Sequence, residues 1–336
     1  MDSLTQIVLG AAVGEAVLGK KVGNRAMLWG AIGGTIPDLD VFYKYFYDPI
    51  TTIELHRGFS HSLVFCIVMA PILGWIANKI HSRREVGIKP WSWLFFWALV
   101  THPLLDAHTV WGTQFFWPFE YRLAYKNIFV VDPLYTLPFL IFLLIAMFHK
   151  RTNPRRRLFN NLGLIVSSAY MLLTLGLKWI TYQKFESQLA KENIEYIDIE
   201  NKTTPLNTVL WNAQIQSKTG FRVAYYSFFD SKEISISEEM PHNHHLLEPI
   251  KNEKVVQQLL KISTGWYMVE KIGERLFFID LRFGQLGVDH TSPFLWRFEI
   301  LKDAHGGYYA ERVPPDFSNK TIGDALSELG ERMKGN

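Results

Sequence analysis

The long apolar runs of this chain lie in its first half. Six segments have this character, and they predict five to six membrane-spanning helices: residues 4–18, 26–37, 62–80, 91–105, 133–148 and 162–180. The first two are short, so a re-entrant hairpin is the alternative to two spans, and their glycines four residues apart predict close helix packing. Residues 41–55 and 107–131 are rich in aromatic and charged side chains, which is typical of segments at the membrane interface.

The pattern changes near Ile180. Short apolar or aromatic runs broken by Gly, Asp and Lys occur in residues 205–230 and 264–300 and predict strands, whereas 183–194, 252–262 and 321–334 have helical character. The sequence therefore predicts an α-helical integral membrane domain over 1–180, followed by a soluble α+β domain over 181–336.

The distribution of basic residues predicts the topology. The loops at 19–25, 81–90 and 149–157 carry most of the Lys and Arg of the first half, Arg83 and Arg84 among them, so we place these loops in the cytoplasm. Six spans with an outer N-terminus satisfy all three loops and place the second half outside. The formal net charge of +3 gives no reason to expect nucleic-acid binding.

Three ionisable clusters stand at the ends of apolar segments, all on the predicted extracytoplasmic side. They are Asp38 and Asp40, His56 and His61, and His102 and Asp106. Charged groups at membrane depth are costly and indicate function, although each residue alone is more often a buried histidine or a helix end. The one cysteine, Cys66, excludes an intrachain disulfide and a multi-thiolate zinc site. Imidazole and carboxylate donors suit a divalent metal, zinc first, with manganese, iron or magnesium as alternatives.

The predicted roles follow from these positions. His102 and Asp106 are four residues apart and share a helix face. We expect Asp38, His56, His61, His102 and Asp106 to be ligands and Asp40 to be a ligand or a general base. Ser60 is predicted to cap the helix that presents His61. Several further residues keep two interpretations: Asp132 is a further ligand or a helix cap, Arg57 binds a phosphate oxygen or extends to the headgroups, and His108 belongs to the site or to the aromatic belt.

Five motifs carry a family resemblance: Pro37-Asp38-Leu39-Asp40, His56-Arg57-Gly58-Phe59-Ser60-His61-Ser62, His102-Pro103-Leu104-Leu105-Asp106, and the stretches 111–119 and 131–135. They resemble a bacterial family of membrane-bound, metal-dependent hydrolases, also described as LexA-binding hydrolases of the inner membrane. The resemblance extends distantly to zinc-dependent phospholipase C and P1 nuclease, which implies phosphoester hydrolysis. Many members have a Thr-His pair near the N-terminus where this chain has Thr5-Gln6, which implies that one coordination position differs.

Two hypotheses follow for the function. In the first, the chain is a hydrolase whose metal activates water against a phosphoester, including a lipid headgroup of the surrounding bilayer. In the second, the metal is structural and the soluble domain binds a regulatory protein partner. An open coordination position distinguishes them, because structural sites are closed. A proton-relay transporter is disfavoured, because the ionisable groups cluster at one side.

Overall fold

The computed structural model describes residues 1–82, 85–288, 292–314 and 321–336. Arg83 and Arg84 of the predicted basic loop, and residues 289–291 of a predicted strand region, lie outside the described residues. The chain divides into two compact units. The first comprises Met1–Phe46, Leu55–Gly176 and Pro205–Asn207, and the second comprises Tyr47–Glu54, Leu177–Thr204 and Thr208–Asn336.

The first unit is helical. In chain order, the α-helices up to residue 191 are α1 (Ser3–Val22), α2 (Asn24–Thr35), α3 (Pro49–Leu55), α4 (Leu63–Ile80), α5 (Ile88–Asp106), α6 (Pro133–Phe148) and α7 (Pro154–Lys191). Helix α3 falls mainly in the second unit, and α7 passes from the first unit to the second at Leu177. Two 3₁₀ helices, Pro37–Tyr45 and Phe59–His61, join these elements and carry candidate ligands.

Glycines allow α1 and α2 to approach closely. A Cβ atom added to Gly10 would lie 2.3 Å from the Gly30 carbonyl oxygen, and one added to Gly14 would lie 2.2 Å from the Ala26 carbonyl oxygen. Any larger residue would therefore push the two backbones apart. Small residues four apart bring helices together in this way, as the glycine spacing predicts.

Two of the described helices, α4 and α7, are long and apolar enough to cross a membrane by length and composition. Helix α6 is apolar but shorter, and α2 has 12 residues, which rise only about 18 Å against a hydrocarbon core of about 30 Å. The helical character of the first half is thus confirmed. Five to six spans stay a prediction.

The second unit is rich in β-structure, as predicted. One antiparallel sheet has the order β1 (Asp198–Thr203), β2 (Leu210–Gln216), β3 (Gly220–Ser227) and β4 (Met240–Pro241). The other has the order β5 (Tyr267–Ile272), β6 (Arg275–Asp280), β7 (Arg297–Lys302) and β8 (Tyr308–Val313). Helices α8 (Lys254–Ser263) and α9 (Ile322–Met333) agree with the predicted helical stretches.

Two apolar clusters form the core of this unit. Phe185 and Leu189, at the end of α7, pack against Trp211 and Ile215 of the first sheet. The segments 162–180 and 183–194, which the sequence predicts as a span and a separate helix, belong to one continuous helix, α7, which ends at Lys191. In the other cluster, side chains from both sheets pack together: Leu210, Phe221, Val223, Tyr225, Trp266, Ile279, Leu281 and Leu329.

Candidate metal centre

The last turn of α5 supplies two candidate ligands. His102 and Asp106 are fully buried and one helical turn apart, so both side chains lie on the same face of the helix. Nδ1 of His102 lies 2.6 Å from the carbonyl oxygen of Gly34, at the end of α2. This contact fixes the imidazole orientation and turns Nε2 towards Asp106.

The 3₁₀ helix that follows α2 positions the two aspartates differently. Pro37 begins it, and side chains three residues apart are eclipsed in such a helix, so Asp38 and Asp40 lie in different rows. Asp40 is buried, whereas the Asp38 side chain is 27% exposed. The two carboxylates therefore face different surroundings.

The segment 56–62 presents His61 through a tight turn. Arg57 has a φ of 56°, and its amide donates to Asp40 Oδ2 at 2.8 Å, which fixes the turn to the 3₁₀ helix. The residue that caps α4 is Ser62, whose hydroxyl accepts from the Phe65 amide. The prediction that Ser60 is the cap is wrong, because His61 precedes α4 and the Ser60 hydroxyl is turned to Asp40.

Four donor atoms converge at one point. The two Nε2 atoms of His61 and His102 are 3.1 Å apart. Asp38 Oδ1 lies 3.5 Å from the first and 3.4 Å from the second, and Asp106 Oδ2 lies 3.5 and 3.6 Å from them. All four atoms lie within 4.8 Å of one another.

The hydrogen bonds of the two imidazoles define which nitrogen carries the proton. A carbonyl only accepts, so His102 Nδ1 donates to Gly34. The Ser60 hydroxyl donates its single proton to Asp40 Oδ2 at 3.2 Å, so it accepts from His61 Nδ1 at 2.9 Å. In the neutral imidazoles both Nε2 atoms then present lone pairs to two carboxylate oxygens. Such a convergence requires an added proton or a metal cation between the donors.

The distances between the imidazole nitrogens and the carboxylate oxygens are those of ligands that share one metal ion. Ligands about 2.0–2.2 Å from a zinc ion lie roughly 3.3–3.6 Å from each other when the coordination is tetrahedral. The separations between imidazole nitrogens and carboxylate oxygens fall at 3.4–3.6 Å, the two nitrogens are slightly closer, at 3.1 Å, and all four donors lie within 4.8 Å of one another. The residues present therefore fit a divalent metal.

Asp106 is held by a second set of contacts. Arg57 Nε lies 3.0 Å from Oδ2, and the guanidinium also donates to Thr109 Oγ1. Gln6 Nε2 donates to Oδ1 at 3.0 Å and approaches the His102 carbonyl at 3.3 Å. The Met1 amino group also contacts Oδ1. Gln6 thus lies beside the ligands at the position where the resemblance implies a difference.

Asp40 connects the elements around the donors. Its carboxylate accepts from the Arg57 amide, the Ser60 hydroxyl and His56 Nδ1, the last at 3.1 Å. Burial opposes its ionisation, but the hydrogen bond from His56 and the nearby imidazoles outweigh burial and hold the pKa of Asp40 below its ordinary value. Asp40 therefore acts on His61 through Ser60. Such partners orient metal-binding imidazoles.

Three predicted site residues are placed outside the four donors. His56 is partly exposed and donates to Asp40. Asp132 caps α6, where it accepts from the amides of Leu134 and Tyr135 and from the Tyr170 hydroxyl. Burial raises the pKa of Asp132. His108 Nδ1 pairs with Asn127. A ligand role for His56 or Asp132 stays a prediction that this arrangement does not favour.

The fold and the site together define a class: a helical, apolar unit with a buried candidate metal centre. Residues 1–185 match the family described as YdjM inner membrane protein, and because the match covers more than half of the chain, the protein belongs to that family. It is also 29% identical to the "Inner membrane protein YbcI" of Escherichia coli (strain K12) over 120 residues, which are 35% of this chain and 67% of the relative. No solved structure matches the chain. The inner-membrane part of the resemblance is thus confirmed.

Proposed function

We propose that the protein is a membrane-bound, metal-dependent hydrolase that cleaves a phosphoester with water. One observation carries this proposal. His61, His102 and Asp106 are fully buried, whereas the fourth donor, Asp38, is 27% exposed. Catalytic metal sites commonly have three protein ligands and an open position, so the exposed edge at Asp38 is where water and substrate enter.

The donor set favours zinc over the alternatives. Magnesium prefers octahedral oxygen coordination, whereas two imidazoles and one carboxylate, those of His61, His102 and Asp106, suit zinc with a fourth position open to water. A bound divalent metal would supply an acidified water and a positive charge beside the phosphoryl oxygens. His61, His102 and Asp106 would hold it, and Asp38 at the open edge would accept the proton that water loses.

Arg57 and Asp40 support the ligands in this proposal. Arg57 lies 3.0 Å from Asp106 Oδ2, and its positive charge offsets one of the two carboxylates at the site. The same contact orients Asp106, which argues against a direct phosphate contact as the main role of Arg57. Asp40 positions His61 through Ser60 and is not the general base.

The membrane arrangement is part of the proposal: six spans, with the metal centre and the second unit on the extracytoplasmic side. The basic loops support it, because Arg151 Nη1 donates to the Lys21 carbonyl oxygen at 2.7 Å, which brings two of these loops together. Basic loops favour the cytoplasmic side. The phosphoester assignment rests on the chemistry of the donors and on the likeness to phospholipase C and P1 nuclease, which is an analogy.

The test is hydrolysis of soluble phosphomonoesters and phosphodiesters by the purified full chain. After chelation and return of zinc, manganese or magnesium, we expect metal-dependent hydrolysis that His102→Ala abolishes. His108→Ala is the matched control and should retain activity. A fully metal-loaded protein that hydrolyses none of the esters would contradict the proposal and would favour a structural metal with a regulatory partner.

A further inference from the structure

The surface beside the open edge of the metal centre is apolar and aromatic. In the 3₁₀ helix Pro37–Tyr45, every third side chain lies in one row, so Leu39, Phe42 and Tyr45 form a ridge. Their exposed fractions are 53%, 52% and 69%. The rings of Phe42 and Tyr45 stack at 6.2 Å, and the Lys44 ammonium lies 5.1 Å from the Tyr45 ring centroid. The neighbouring rows of the same helix carry Asp38 and Asp40.

A second exposed aromatic group adjoins the other ligand segment. Phe59, two residues before His61, packs edge-to-face on Trp117 with ring centroids 4.9 Å apart, and both rings are exposed. Phe116 and Phe119 are exposed in the same loop. Asp40 joins this segment to the ridge, because its carboxylate accepts from the Arg57 amide and the Ser60 hydroxyl.

The chemistry of these surfaces matches the headgroup level of a bilayer. Elsewhere in the first unit the exposed faces of α4 and α6 are aliphatic along most of their length, for example at Ile67, Ile72, Leu137 and Ile141, and their exposed aromatic rings, Trp75 and Phe148, lie towards the C-terminal ends. Aromatic rings next to a lysine are instead enriched where acyl chains meet headgroups. The protein belongs to an inner-membrane family, so the occupant that we assign to this exposed ridge is lipid.

We infer that the substrate of the proposed hydrolase is a phospholipid of the surrounding leaflet, which the ridge of Leu39, Phe42 and Tyr45 guides to Asp38. This inference rests on the proposed function. The lipid tails stay among the aromatic side chains, and the phosphate passes Lys44 to the exposed edge of the centre. There the oxygen of water bonds to phosphorus and one ester P–O bond breaks. The proton from water goes to Asp38, and Asp38 then gives this proton to the departing alkoxide, which restores the carboxylate.

The first test measures lipid contact without any activity. A Cys66→Ser protein carrying Phe42→Cys or Tyr45→Cys is labelled with a fluorophore and placed in vesicles of phosphatidylethanolamine and phosphatidylglycerol. Lipids with a nitroxide near the headgroup should quench both labels strongly and a label at Lys218→Cys, in the second unit, weakly. Labels shielded from the nitroxide, or crosslinking of position 42 between two copies, would overturn the inference in favour of a protein–protein surface.

The second test compares substrates. Vesicles of phosphatidylcholine with phosphatidate or phosphatidylglycerol are offered to the full chain. Phe42→Ser combined with Tyr45→Ser should raise the apparent KM for vesicle lipid at least tenfold with kcat nearly unchanged and the metal retained. Phe148→Ser, an exposed aromatic at the end of α6, is the matched control and should change neither constant.

The outcomes separate this inference from the proposed function. A wild-type protein that hydrolyses soluble phosphoesters but neither vesicle lipid overturns the inference and leaves the hydrolase proposal standing. An unchanged KM in the double variant also overturns the inference. If metal-loaded protein hydrolyses no ester of either kind, the hydrolase proposal fails, and the substrate inference fails with it.

Discussion

His61 and His102 are 41 residues apart in the chain, yet their Nε2 atoms lie 3.1 Å apart. Each imidazole donates from Nδ1 to a different partner, His61 to the Ser60 hydroxyl and His102 to the Gly34 carbonyl oxygen. The two rings are therefore oriented by separate elements, the turn before α4 and the end of α2. The convergence of their lone pairs with two carboxylates explains why the site is suited to a cation.

The link from Asp40 through Ser60 to His61 gives a prediction about metal affinity. Asp40→Asn removes the carboxylate that orders Ser60 and the Arg57 amide, so His61 loses its fixed orientation. Loss of such an outer partner typically weakens metal binding about 10–100-fold. Metal titration of purified protein should give a Kd raised by that factor. Asp48→Asn, an exposed aspartate in the second unit, is the control and should leave Kd unchanged. Equal metal affinities in the Asp40 variant and the wild type would show that Asp40 does not contribute to metal binding.

Gln6 gives a second prediction. Its amide nitrogen donates to Asp106 Oδ1, and among the residues that the structure describes its amide oxygen has no hydrogen-bond partner although it is buried. Gln6→Leu keeps the volume but removes the donor, so the Kd for metal should rise roughly tenfold. Gln183→Leu, on an exposed face of α7, should have no effect. An unaltered Kd in Gln6→Leu would mean that Arg57 and the Met1 amino group suffice to orient Asp106.

The sequence predicted the helical first half and the β-rich second half because their apolar periods differ clearly. Helical spacing placed His102 and Asp106 on one face of α5. The role of Ser60 was missed, because both Ser60 and Ser62 precede an apolar run and only the backbone turn at Arg57 decides which one caps α4. The contact between Gln6 and Asp106 joins residues 100 positions apart, and local pattern has no signal for it.

The local sequence pattern also did not determine the number of spans or the full ligand set, for a different reason. Helices α2 and α6 are short, so their hydropathy alone does not distinguish a span from a buried helix. His56 and His61 are equally plausible ligands in the sequence. In the structure the turn at Arg57 directs His56 to Asp40 and His61 to His102.

A buried ion pair between α1 and α7 gives a prediction about stability. Arg156 binds the Glu15 carboxylate through Nε at 2.6 Å and Nη2 at 2.5 Å, and both side chains are buried. Arg156→Leu leaves the Glu15 charge uncompensated and should cost about 3–5 kcal/mol. The double variant Glu15→Met, Arg156→Leu should be much more stable than the single one when thermal unfolding is followed in detergent. Additive losses would show that the pair does not act as a unit.

The proposed orientation gives a prediction about accessibility. In a Cys66→Ser background, cysteines at Lys21 and Thr152 lie in basic loops and should react only with membrane-permeant reagents on intact cells. A cysteine at Lys218, in the second unit, should react with impermeant reagents. The reverse labelling pattern would mean that the orientation is inverted, with the metal centre on the cytoplasmic side.

Metal content of the purified full chain, measured by elemental analysis, tests the central claim most directly. The wild type should carry about one divalent metal ion per chain, zinc first, at the four-donor site. His61→Ala, His102→Ala and Asp106→Ala should each lose most of it, because each removes a buried donor. His56→Ala and His108→Ala are the matched controls and should retain the metal. Equal metal content in all five variants and the wild type would contradict the assignment of the centre.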